Sequence, residues 1–167
     1  MLVRYYLEIP CPATAVKAVL SLQPRAWLPA IVGDSNHRGL EVLSKVGVNL
    51  GPRRIDREVA LTVSDGRQQG ATWTIPIAWR PVAERSMLPS LEGQLEVCSL
   101  ADDRAQLAIS ATYRPPLGWV GAVSDRALMR RVAEATIKDF LDRVAVRVQA
   151  GIEADPDDHS RRDAPAA

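Results

Sequence analysis

Apolar and polar positions mostly alternate between Leu2 and Tyr113, whereas from Ser124 to Gln149 apolar residues recur at helical spacing. Period-two alternation puts one set of side chains on each face of a strand, and a period near 3.6 gathers them on one stripe of a helix. The first run, Leu2 to Ile9, is rich in the aromatic and branched residues that suit a pleated surface, and it ends at Pro10. Pro12 to Leu22 then carries Ala15, Val16, Val19 and Leu20 at helical spacing, with Pro12 suited to a first-turn position where no amide partner is needed. A second short helical piece is expected around Arg25 to Val32. Gly33 to Gly39 is turn chemistry bounded by glycines.

Strand-like runs follow over Leu40 to Leu50, Arg54 to Ser64, Ala71 to Arg80, Leu91 to Leu100 and Ala105 to Tyr113. Gly51-Pro52, Asp65-Gly66 and Asp102-Asp103 lie where hairpin loops are needed, so an antiparallel meander is the economical connection, with a longer loop over Pro81 to Pro89. Ile55, Val59, Leu61 and Val63 share one face of their strand, as do Trp73, Ile75, Ile77 and Trp79 of the next, while Asp56, Glu58, Thr72 and Thr74 take the other side. One face of the sheet is apolar and one is wet.

The Pro/Gly segment Arg114 to Trp119 leads into the long helix, whose stripe holds Met129, Ala133, Thr136, Ile137, Phe140, Val144 and Val148. Ser124 suits the cap, Asp125 the positive end of the dipole, and Gly151 a left-handed stop. At about 1.5 Å per residue this helix reaches roughly 39 Å, enough to cross a curved sheet from rim to rim. Residues 1–150 read as one domain and 151–167, polar with Asp-Pro and Ala-Pro steps, as a disordered tail.

Charge and composition narrow the function. Twenty-one basic against twenty acidic side chains leave a net charge of +1, so no field of one sign gathers nucleic acid or anionic membrane. Cys11 and Cys98 are isolated thiols that suit a reducing compartment, and neither a signal peptide nor a membrane span is present, which reads as cytoplasmic. His37 is the one histidine ahead of the tail, so no His-rich metal site forms, and no nucleophile-elbow pattern accompanies it. No GxGxxG or phosphate loop is found, which argues against a nucleotide cofactor. No metal, cofactor or catalytic residue is assigned.

The order of strand, two short helices, antiparallel strands and one long C-terminal helix is carried most clearly by Leu91 to Val97, Gln106 to Tyr113, the linker Arg114-Pro115-Pro116-Leu117-Gly118 and the helix through Phe140-Leu141. In these features the chain resembles the START-like superfamily, also called SRPBCC, which includes Bet v 1-type allergens and the polyketide cyclase/dehydrase and lipid-transport group. The resemblance implies an α+β helix-grip fold, a curved antiparallel sheet of six to seven strands wrapped around the C-terminal helix. Six strands are counted here, which leaves a seventh either missing or hidden in Pro81 to Leu91. The resemblance also implies a cavity between sheet and helix for apolar or aromatic molecules, and it carries over no catalytic residue.

The ligand-facing candidates are Arg57, Trp73, Ile75, Ile77, Trp79, Ile109, Tyr113 and Phe140. Trp73 and Trp79 would stack on a flat ligand or serve as core. Arg57 shares parity with Ile55, Val59 and Leu61, so it would either hold a ligand anion or sit at the rim with a carboxylate partner. Tyr113 ends an apolar face and would donate into the cavity or satisfy itself at the rim. His37 would act at an entrance or simply be solvated in its loop. Three functions follow: non-catalytic binding or transport of a small hydrophobic or aromatic molecule; cyclisation of a polyketide-like chain, with Arg57, Tyr113 or His37 polarising a carbonyl; or docking of a protein partner through Arg53, Arg54, Arg130, Arg131, Arg143 and Arg147. Local ion pairs on a solvated helix are the competing account of the helix arginines.

Overall fold

A computed structural model describes residues 2–22, 27–28, 41–50, 53–82, 90–114 and 126–154, with side chains at all of these except 41–58 and 126–129. Strand β1 (Leu2–Ile9) leads into α1 (Ala13–Ser21). Then come β2 (Glu41–Leu50), β3 (Arg53–Val63), β4 (Arg67–Gln69), β5 (Thr72–Pro81), β6 (Ser90–Ala101), β7 (Arg104–Arg114) and the long helix α2 (Arg126–Ala154). The sheet runs β1-β7-β6-β5-β3-β2, with β4 also on β5, and every pairing is antiparallel. A meander from β2 to β7 is thus closed on one side by the first strand. The fold is the α+β helix-grip arrangement.

Register converts the sequence alternation into rows across the sheet. Leu61 pairs with Trp79, Trp79 with Leu91, and Leu91 with Tyr113, so four strands contribute one apolar row to the inner face. Ile75, Leu95 and Ile109 make a second row, and Trp73, Val97 and Leu107 a third. Between them, Ile77 pairs with Gly93 and Gly93 with Ala111. A Cβ on Gly93 would run into Ser110 O and lie 2.6 Å from Ala111 Cα, so only glycine allows β6 and β7 to approach this closely.

The seventh strand is found in an unexpected place. Asp65-Gly66 does not turn a hairpin; Ser64, Asp65 and Gly66 interrupt β3, and the chain resumes alongside the same partner strand as β4. Val63 pairs with Ile77 and Arg67 with Thr74, so three residues stand opposite Ile75 and Pro76. This two-versus-three mismatch is a bulge, and its cause is Pro76, which has no N–H to give and accepts from Ser64 N at 3.0 Å. The reversal itself comes after β4, at Gly70, whose φ of 59° suits glycine. Residues 83–89, the other place considered for a strand, lie outside the described residues.

Helix α2 approaches both edge strands, β1 and β2, as well as β7 and α1, and stands further from the middle of the sheet. Ala133, Thr136, Ile137, Phe140, Val144 and Val148 are buried on its inner side, joined by Val132, Leu141 and Ala145. Thr136 is accommodated because its hydroxyl donates to Val132 O at 2.7 Å. The expected stop at Gly151 does not occur: the helix runs 29 residues to Ala154. Gly151 instead permits contact with α1, since a Cβ there would stand 3.0 Å from Val19 Cγ1. The rest of the expected tail, 155–167, lies outside the described residues.

The outer side of α2 is laced by spacing-four ion pairs: Arg130 to Glu134 at 2.7 Å, Lys138 to Asp142 at 2.6 Å and Arg143 to Asp139 at 3.0 Å. The Lys138 ammonium also lies 5.2 Å from the centroid of the Tyr5 ring, tying α2 to β1. Among the described residues no helix is long and apolar enough to cross a membrane.

Candidate ligand-binding site

The inner face divides into two regions. In the first, Trp79 and Phe140 bring their rings to 5.3 Å at 59°, a tilted contact of the kind aromatic quadrupoles favour. Ile77, Trp79, Ile109, Tyr113 and Phe140 all lie here or beside it, none more than 3% exposed. Burial pushes the Tyr113 phenol up to about 12, because a phenolate would lose its hydration there.

The second region lies at the other end of β5, where the bulge separates β3 from β4. An open cleft of about 430 Å³ lies between this bulge and the C-terminal end of α1. Among the described residues its apolar lining is Leu20, Leu22, Trp27, Val63, Trp73 and Ile75, and its polar lining is Ser21, Ser64 and Asp65. Its size falls in the range used for small organic ligands, roughly 300–1,000 Å³. Ser21, Ser64 and Asp65 are exposed and mark the mouth, while Leu20, Val63 and Ile75 are buried behind them. Trp73 is only half-buried, although its row partners Val97 and Leu107 are fully covered. Its ring lies over Gly66, where an added Cβ would collide with the indole and stand 2.6 Å from Cε2. Glycine at 66 thus fixes how deep the Trp73 ring settles.

Two features of the cleft concern hydrogen bonding and charge. Trp27 is wholly buried, and its indole N–H finds no acceptor among the described residues. An unpaired buried donor of this kind costs about 1–3 kcal/mol, which makes it a point where an incoming oxygen would be accepted favourably. Asp65 is the sole charged side chain among the described lining residues, and no ion pair engages it among those residues.

The eight candidates named from sequence therefore separate. Trp73 and Ile75 line the cleft; Ile77, Trp79, Ile109, Tyr113 and Phe140 belong to the closed region. Arg57 is placed only by its backbone, opposite Val46 in β3, and His37 lies outside the described residues. Sequence reasoning did not name Leu20, Ser21, Leu22, Trp27, Val63, Ser64, Asp65 or Gly66 as site residues. Asp65-Gly66 has the composition of an ordinary turn, and nothing local distinguishes a hairpin from a bulge imposed by Pro76, 10 residues further along the chain. Among the described residues, no three His, Cys, Asp or Glu side chains gather as metal ligands would.

Solved structures resemble this chain over nearly its whole length. The Zhui aromatase/cyclase from Streptomyces sp. R1128 superimposes with a TM-score of 0.53 at 14% identity, covering 95% of this chain and 97% of its own. A START superfamily protein from Mycobacterium smegmatis gives 0.52 at 13% identity, covering 92% and 97%. Human STARD10 gives 0.52 at 10% identity, covering 96% of this chain and 68% of its own. No family model and no curated protein matches the sequence. Identities this low speak for the fold, and the fold is START-like.

Proposed function

We propose that this protein binds or carries a small hydrophobic or aromatic molecule on the inner face of its sheet, without catalysis. The observation that supports this most directly is the cleft itself, an opening of about 430 Å³ in which the half-buried Trp73 stands beside Ile75, Leu20 and Val63. Apolar side chains left beside an accessible space gain about 25 cal/mol for each Å² a ligand covers, and an indole adds a face for stacking. Trp73 and Ile75 would touch the ligand first. Ile77, Trp79, Ile109, Tyr113 and Phe140 would form the wall behind it, and Arg57 would add a polar contact.

The START-like fold of the relatives described above is consistent with this reading, since that arrangement sets a helix across a concave sheet. The test is native mass spectrometry of freshly purified protein, followed by identification of whatever denaturation releases. An extra mass that Trp73→Ala abolishes in a protein of unchanged circular dichroism is the expected result. A bare polypeptide, together with no saturable binding of any neutral apolar probe, would end the proposal.

A second reading, cyclisation of a polyketide-like chain, draws on one observation: Tyr113 is buried at the end of the inner-face row of Leu61, Trp79 and Leu91, where its phenol would donate to a carbonyl. It requires product from a poly-ketone substrate, lost in Tyr113→Phe.

A further inference from the structure

The described residues of the closed region, Ile77, Trp79, Ile109, Tyr113 and Phe140, carry no charge, whereas the cleft has Asp65 in its lining beside aromatic and aliphatic side chains. We infer that the cleft between α1 and the β3–β4 bulge recognises an amphipathic amine, its apolar body against Trp73, Ile75, Val63 and Leu20 and its ammonium held by Asp65. This deepens the proposed function and rests on it, since an amine without a place for its apolar body would find only an exposed carboxylate.

The chemistry follows from what lines the cleft. A carboxylate accepts hydrogen bonds and donates none, so it favours an ammonium, tolerates an alcohol and repels a second carboxylate. Ser21 and Ser64 add hydroxyls at the same mouth, which serve a donor-rich head group as acceptors. Trp73 contributes an aromatic ring within the cleft, and a cation close to an indole gains from the ring quadrupole. Among the described residues no cation belongs to the lining: Lys17 Nζ donates to Gln68 Oε1 at 3.4 Å on β4, and Arg67 belongs to β4 and not to the cleft wall. The bulge makes the arrangement possible. It leaves Ser64, Asp65 and Gly66 outside the regular β3–β5 and β4–β5 pairing, and all three line the cleft.

Three probes of one shape separate the possibilities: 3-phenylpropylamine, 3-phenylpropanol and 3-phenylpropionate, titrated into the full chain near pH 7 and read by tryptophan fluorescence and calorimetry. Nile red binding, compared between the natural chain and Trp73→Ala, reads the apolar site independently of charge. The amine should bind up to about fivefold more tightly than the alcohol, the range of an exposed ion pair, and the carboxylate weakest. Asp65→Asn should erase that preference while leaving alcohol and Nile red binding in place, and because Asp65 is exposed the variant should fold normally.

Equal binding of all three probes, or an amine preference that survives Asp65→Asn, would overturn the inference and leave the apolar-ligand proposal standing. An alcohol that outranks the amine would also overturn it, and would point to the Trp27 N–H as the polar contact. No probe binding with Nile red retained refutes the amine assignment alone. Loss of Nile red binding as well would sink both readings.

Discussion

Trp73 and Trp79 lie on one strand, face the same side and are separated by three turns of the same alternation, yet their surroundings differ. Trp79 is 1% exposed and has Phe140 against its ring, whereas Trp73 is half-buried at the wall of a cleft. The difference comes from what lies over each end of β5. Helix α2 sets Phe140 over Trp79, while Trp73, paired with Gln68 of the short strand β4 just past the bulge, borders the open cleft beside α1. Residues of identical pattern can therefore serve as core at one position and as binding surface at another.

Truncating each indole in turn should separate the two environments most clearly. Trp79→Ala should cost about 3–5 kcal/mol in denaturant unfolding, because it empties a filled layer. Trp73→Ala should cost less, about 1–2 kcal/mol, while removing ligand binding. Equal losses of stability would show that the two environments are energetically alike.

Tyr113 probes the closed region by pH. Its folded-state pKa of about 12 exceeds the ordinary value of 10, so the folded protein holds this proton more tightly than the unfolded chain. Its contribution is complete below pH 10 and is lost as pH rises through about 12, a decline on the order of 2–3 kcal/mol. Tyr113→Phe should flatten that part of the stability curve measured by urea unfolding, and a curve unchanged by the substitution would mean that water reaches the phenol.

Gly93→Ala should destabilise by about 1–3 kcal/mol, because the added methyl meets β7 backbone that cannot yield without disturbing the ladder. Gly66→Ala meets a side chain, so the expected response is a shifted Trp73 emission and altered probe binding, with a stability change within about 1 kcal/mol. A Gly66→Ala protein with native emission would argue that the ring has no fixed seat. The smallest effect belongs to the exposed Arg130–Glu134 pair of α2: Arg130→Ala should leave the urea midpoint almost unchanged, and any loss should shrink at high salt.

Much of this architecture was legible in the chain because it is written in short-range periodicity. The strand faces, the α2 stripe from Ala133 to Val148 and the apolar helix at Ala15 to Leu20 each depend on residues a few positions apart. The antiparallel meander followed from short connections, and the inward aim of Trp73, Ile75, Ile77 and Trp79 followed from parity alone.

Other features depended on contacts between distant segments. Gly151 reads as a helix stop, but Val19 lies against it and the helix continues. Asp65-Gly66 reads as a hairpin, but Pro76 withholds a donor across the ladder and turns the pair into a bulge. Parity fixed which face each tryptophan takes. Only the folded chain decided which one is covered, because cover comes from elements far away in sequence, here Phe140 over Trp79 and the space beside α1 at Trp73.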